Sequence, residues 1–314
     1  MNRKTQFYFI LIVILSVYSA LNLHGSLELT NQSSRSHSAA ICAIQKGALR
    51  YVDEWVDYNI AIGFEKIYIY DNSDEFELQE WYSNLKNEEK DHVEITHFPG
   101  PKRQLKATTH CTKQIQRKRA HSWIAYFDLD EFIVIRDTQK YPRIMDLLDD
   151  LPYDIGALTV NWVIFRMNNQ LKYEAKPVTS RFQNRTENAT NRHVKTIARA
   201  ELVRYVVNPH FVKFKFWSKK SAEDTSGNKI EGPFNENLTD DVVVLHHYHT
   251  KSLEEYKERC KRGRADIPMS DWSEELPCQS DSDILNRFAS DESVPDTAAW
   301  TLLKERVPKY DHFS

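Results

Sequence analysis

The chain has 314 residues, 41% hydrophobic and 12% aromatic, enough to bury a core in one large domain or two small ones. Its 42 basic residues nearly balance 45 acidic ones for a formal charge of -3, which argues against a nucleic-acid partner. Only 8 glycines, with no internal repeat period, exclude collagenous and solenoid architectures.

The first predicted element is a membrane segment. Asn2-Arg3-Lys4 precedes an apolar run from Phe7 to Leu23. About 17 residues at ~1.5 Å rise cover ~25 Å, short of a ~30 Å hydrocarbon core but sufficient for a thin membrane. The basic flank predicts a cytoplasmic N-terminus and a lumenal remainder. A signal peptide cleaved after Ser19 and Ala20 is the alternative, and both readings lead into the secretory pathway. Asn-x-Ser/Thr sites at Asn31, Asn184, Asn188 and Asn237 agree with that route. The cysteines, Cys42, Cys111, Cys260 and Cys278, are even in number and match no zinc spacing. Three connectivities are open, with free thiols as the alternative. Cys260 and Cys278 are near enough in sequence to close a short loop, and that pairing is the expected one.

A polar stem to Ser38 has too little apolar surface to pack. From Ala39 the pattern alternates. "AAICAI" predicts a buried strand, and Leu49, Val52, Val56 and Ile60 stand at helical spacing with Gly63 suited to the C-terminal cap. The strand "KIYIY" ends at Asp71. A helix near 77–86, the strand "VEITHF" and a long helix over 104–122 follow, and then the strand "WIAYF" stops at Asp128. Such alternation implies a parallel sheet covered on both faces, with ligands beyond the strands' carboxyl ends. Asp71 and Asp128 mark that edge. The second half predicts a strand "IGALTVNWVIF", an exposed loop over 179–191, an alternating strand "HFVKFKFW" and a buried strand in "DDVVVLHHYHTKS". Ser252 and Glu255 form a capping box for a further helix that Gly263 ends. The last fifty or so residues are acidic, contain proline and are weakly patterned.

Two constellations carry chemistry. Asp128 and Asp130 flank Leu129, and in an extended segment they share a face while the leucine turns inward. Paired oxygen ligands suit a hard divalent cation that keeps waters and a phosphate in its shell, although acidic triplets also occur in solvated turns. One of His246, His247 and His249 can complete such a site; a satisfied structural histidine is the plainer reading. Lys251, Arg259, Lys261, Arg262 and Arg264 form a basic stretch, read either as partners of a helix C-terminus or as a clamp for a diphosphate.

Together, "LRYVDEWVDYNIAIGFEKIYIYDNSD", "WIAYFDLDEFIV" and "HHYHTKSLEEYKERCKRG" resemble glycosyltransferases of family 92 and the related family-2-like group, over Ala39 to Arg264. The resemblance implies a GT-A (Rossmann-like) fold, a mixed, mostly parallel sheet flanked by helices. It also implies a nucleotide-sugar donor, UDP-linked, with Mn2+ or Mg2+, an inverting transfer to a glycan acceptor, and a single membrane anchor in the Golgi or another secretory membrane. By the same resemblance Asp128 and Asp130 are the metal- and ribose-contacting pair and His247 a further metal ligand. Asp71 lies where family members meet the nucleotide and Lys251 lies in the "KS" element; on the clamp reading of the basic stretch Lys251 and Arg262 face the diphosphate. The family usually carries Asn-Glu where this chain has Gly47-Ala48, and a glycine-bearing loop where Trp162 is followed by "VIFRMNN". The first departure bears on base recognition and the second on the acceptor. Glu131, Glu223, Asp224 and Asp266 are candidates for the general base, and the sequence leaves the base unassigned. The expected organisation is a cytoplasmic tail (1–6), a signal-anchor (7–23), a stem (24–38), a catalytic domain (39–270) and an acidic extension (271–314). An inactive, lectin-like descendant is the alternative function, with a metal-dependent phosphoesterase a more remote one.

Overall fold

A computed structural model describes residues 36–262, 280–288 and 294–313. In the first half, β1 (Ala39–Gln45), β2 (Lys66–Asp71), β3 (Val93–His97) and β4 (Trp123–Ala125) lie in the order β3-β2-β1-β4, all parallel. The connecting helices are α1 (Leu49–Ala61), α2 (Gln79–Asn84), α3 (Asn87–His92) and α4 (Gln104–Lys118). Every residue of β1 is buried because both faces of the strand are covered. Ile41 and Ala43 face Val52, Trp55 and Val56 of α1, whereas Cys42 and Ile44 face Ala107, Cys111 and Ile115 of α4. Gly63, at φ +109 just past α1, donates its N–H to the Ile60 carbonyl and closes the helix as expected.

The sheet continues through β5 (Glu131–Ile135), β6 (Ile155–Phe165), β7 (Asn184–Arg199) and β11 (Val243–His247), in the order β4-β7-β6-β11-β5. Here β7 runs antiparallel to β4 and β6, and β5 antiparallel to β11, so the sheet is mixed. Short α5 (Ile144–Asp149) and α6 (Val178–Arg181) precede β6 and β7. Beside the main sheet, β8 (Val203–Asn208) and β9 (Phe211–Phe214) form a two-stranded sheet, and β10 (Ser221–Glu223) pairs with β6. Then come α7 (Leu253–Arg262), α8 (Asp281–Phe288), β12 (Val294–Pro295) and α9 (Ala298–Arg306).

Three expectations are corrected. The stretch 179–191 is not an exposed loop: it holds the end of α6 and the start of β7, whose polar residues ladder against β6 and line a cleft. The strand that was to reach Asp128 stops at Ala125, and Asp128–Glu131 is a tight turn closed by Glu131 N–H to the Asp128 carbonyl. Residues 298–310, expected in an extension, pack Trp300, Leu303 and Tyr310 into the same core as β1 and α1. Among the described residues no helix is long and apolar enough to cross a membrane, and the run Phe7–Leu23 lies outside them. The disulfide seen is Cys42–Cys111, tying β1 to α4. Cys260 is also disulfide-bonded, and its expected partner Cys278 lies outside the described residues, as do Gly263 and Asp266.

Candidate active site

The chain leaves β1 for β2 and β3 on one side and returns to β4 on the other, so the strand order reverses between β1 and β4. A crevice opens at such a point beyond the carboxyl ends. Gln45 and Lys46 after β1, and Asp128 and Asp130 after β4, flank a cleft of about 680 Å³. Its walls follow from strand alternation. Trp162, Ile164 and Arg166 line it from one face at the end of β6. From β7 it takes Thr186, Asn188 and Thr190, then Asn191 and His193. The change of phase coincides with a register shift opposite Asn161 and Trp162, where a bulge turns the alternation over.

The Asp128–Glu131 turn is held from beneath by Lys195, a residue that sequence reasoning missed. Its side chain is 1% exposed and its ammonium lies 2.7 Å from Asp128 Oδ2 and 3.3 Å from Glu131 Oε2. Asp128 N–H donates to Glu131 Oε2, and Gln104 Nε2 lies 3.4 Å from Asp128 Oδ1. Glu131 is fully buried, and burial pushes its carboxyl well above the usual range although Lys195 opposes the shift. It supports the turn and does not line the cleft. The available signal for Lys195 was a cation inside the otherwise uncharged run Val194–Ala198.

Asp130 faces Lys251 and the His247 imidazole across the cleft. His247 Nε2 is 3.5 Å from its Oδ1 and Lys251 Nζ 3.8 Å from its Oδ2. Burial works to raise this carboxyl, but Lys251 and His247 hold it well below the usual range. Leu129 turns inward between the two aspartates, as expected. Alternation along β11 sends His246 to the opposite side, where it meets Asp296 at 3.5 Å and the Phe165 ring, while His247 and His249 line the cleft. Burial lowers the basicity of His247 and His249, and takes His210 down to about 4. Neutral imidazoles keep a lone pair for a cation or a hydroxyl. Trp162 stacks on His193 with centroids 4.9 Å apart and touches His247 at 4.3 Å, making a flat ring-lined wall.

The basic side of the cleft is built by α7. Ser252 and Glu255 exchange the two hydrogen bonds of the expected capping box. Glu255 also accepts a bidentate pair from buried Arg181 and a bond from Tyr51 OH. This fixes the helix start, and Lys251, in the left-handed region at φ +52, lies with its ammonium 4.7 Å from the Tyr51 ring. Arg259 and Arg262, three apart, share the face that meets the cleft. Arg262 donates to the Gly47 carbonyl, and a Cβ on Gly47 would stand 2.9 Å from Arg262 Cδ. At φ +62 and without a Cβ, Gly47 therefore admits this arginine.

Several sequence candidates lie elsewhere. Asp71 is fully buried behind the cleft, its oxygens taken by Gln45 Nε2 and by the N–H groups of Ser73 and Leu78. It orients Gln45, which does line the cleft. Asp224 is 1% exposed and accepts from Ser226, Asn228 and Asn235. Glu223 accepts from the Ser221 hydroxyl. Among the described lining residues the carboxylates are Asp128 and Asp130. Among the described residues no three His, Cys, Asp or Glu side chains converge closely enough to hold a metal by themselves. Asp128 is engaged by Lys195, which leaves one carboxylate and a neutral imidazole, Asp130 and His247, as the donor pair. A cation there would complete its shell with water and phosphate oxygens, which is how Mg2+ is commonly bound.

The model of the family described as glycosyltransferase family 92 matches residues 41–266, which include all of these cleft-lining groups except Arg287 and Phe288. The chain belongs to glycosyltransferase family 92. A family 92 protein of rice (Oryza sativa subsp. japonica) is 24% identical over 245 residues, 77% of this chain and 38% of that protein. One from Arabidopsis thaliana is 27% identical over 117 residues, 36% of this chain and 20% of its own. One from Ricinus communis is 28% identical over 101 residues, 32% of this chain and 18% of its own. The chain thus spans well under half the length of these relatives.

Proposed function

We propose that this chain transfers a sugar from a nucleoside-diphosphate sugar, UDP-linked, to a hydroxyl of a glycan acceptor, with inversion. The domain is read as GT-A in type, held by the run 7–23 in the lumen of the Golgi or another secretory compartment. The observation that carries this reading is the gathering of Lys251, Arg259 and Arg262 around the Asp130–His247 pair, within the segment matched by the family.

As the bond from the anomeric carbon to the diphosphate breaks, the acceptor oxygen bonds to that carbon and gives up its proton to a base, for which the cleft offers its lining imidazoles. Negative charge builds meanwhile on the departing diphosphate. Lys251, Arg259 and Arg262 are preorganised by Glu255, Arg181 and Gly47 to meet that charge, and such fixed electrostatics is commonly the largest catalytic contribution. Asp130 and His247 are the residues that would hold Mn2+ or Mg2+, which would there supply further neutralisation as a Lewis acid. Asp128, braced by Lys195, is placed to accept from ribose hydroxyls. The Trp162–His193 wall offers a flat surface for a sugar ring.

The test is the full-length chain in detergent with Mn2+ and a panel of nucleotide sugars, assayed for release of nucleoside diphosphate. One donor should be turned over, and chelator should stop the reaction. Binding of a nucleotide sugar without turnover on any acceptor would instead establish the lectin-like reading.

A further inference from the structure

The end of the domain opposite the cleft carries an exposed aromatic and basic tip. Phe216 and Trp217 are 90% and 58% exposed at the two central positions of a turn closed by Ser218 N–H to the Lys215 carbonyl. Around them lie Tyr153, 82% exposed, and Tyr205, 46% exposed. Lys213 pairs with Tyr205 in register, and Lys215 stands over the Trp217 ring at 5.8 Å. Lys220 sits over the Tyr153 ring at 3.5 Å, and Arg204 and Lys219 are exposed beside the two strands. Asp154 and Glu201 are the acids adjoining in sequence, so cations predominate. Two large rings side by side on a turn leave apolar area in water that monomeric surfaces rarely expose together.

This tip shares an end with the chain's entry into the domain. A run of backbone hydrogen bonds links Ser122 to Ser38, Ala200 to Ser122, Leu202 to Arg199 and Lys215 to Leu202. The base of the aromatic turn therefore adjoins Ser38, the residue before β1. At the far end of β8, about 20 Å away for six residues, Pro209 and His210 line the cleft. Ser36 follows Leu23 by about 13 residues, which bounds its distance from the end of the apolar run at ~45 Å. Aromatic rings and lysine stems both favour the headgroup zone of a bilayer.

We propose that the Phe216–Trp217 tip rests in the headgroup layer of the membrane that anchors the chain, so that the cleft opens away from the bilayer. This rests on the anchor reading of residues 7–23. The experiment uses the full chain with Trp217→Cys carrying a nitroxide, in nanodiscs of phosphatidylcholine with added phosphatidylserine. The exposed ring is replaced without opening the core, and among the described residues no native cysteine is free to take the label. A second reporter at exposed Ser226→Cys gives the aqueous reference. The expected result is an oxygen-to-nickel-chelate accessibility ratio several-fold higher at 217 than at 226. Hydrogen exchange over residues 202–220 should also slow in nanodiscs relative to detergent. An aqueous ratio at 217 in a chain that survives carbonate washing overturns the docking but leaves the anchor standing. Release by carbonate overturns both. An immobilised label without the oxygen gain signals a protein or glycan partner and also overturns the docking.

Discussion

Replacing Lys195 by methionine tests how the acidic turn is held. The ammonium is 1% exposed and bridges Asp128 and fully buried Glu131 at 2.7 and 3.3 Å. Methionine keeps most of the volume, so the packing loss is small and the electrostatic loss is isolated. Asp128, with its side chain 35% exposed, can recover water, whereas Glu131 cannot. Removing one partner of a buried pair costs up to about 3–5 kcal/mol when the other is left charged, and Glu131, whose carboxyl burial already pushes up, relieves part of that by taking up a proton. For a domain of this size that corresponds to a fall in Tm of roughly 6–15 °C. Urea unfolding of Lys195→Met should show this loss with the slope unchanged. The double variant with Glu131→Gln should recover most of it, since a neutral amide no longer needs a counter-charge. A single variant within ~1 kcal/mol of wild type would refute the claim that Lys195 braces the turn.

Asp130→Ala and His247→Ala should abolish nucleotide release while leaving the circular dichroism spectrum intact, and excess Mn2+ should partly restore His247→Ala but not the double variant. Unchanged turnover in Asp130→Ala would remove the donor pair from the mechanism. Burial works against the Glu255 carboxyl, but Arg181 overrides it and holds the pKa at about 2. A depressed folded-state pKa contributes stability above the unfolded value of ~4.3 and loses it as pH falls through the folded one, so acid unfolding of wild type should steepen between about pH 4 and 2. Glu255→Gln should flatten that window and weaken donor binding through Lys251. Cys42→Ser/Cys111→Ser opens a loop spanning 69 residues, and on chain-entropy grounds calorimetry should show a loss of about 4 kcal/mol.

The first half of the fold was legible because its signals are local. Apolar runs bounded by turn residues located β1, β2 and β3, helical spacing located α1, and Ser252–Glu255 marked the start of α7. Asp128, Asp130 and His247 reach one cleft because strand ends of a wound sheet gather on one edge, and α7, which follows β11, brings Lys251 and Arg262 to it. What failed locally was β7: "NRTENATNR" has the composition of a loop, yet β6 supplies hydrogen-bond partners that no neighbouring residue could. Pairing across the sheet also decided that Lys195 would meet Asp128 and Glu131, 67 and 64 residues earlier. It placed Glu131 and Asp71 behind the cleft rather than in it, and joined Cys42 to Cys111 across 69 residues. Sequence spacing determines which side chains share a face of one element. Which faces meet depends on the order in which distant strands pair, and that order is a property of the whole sheet.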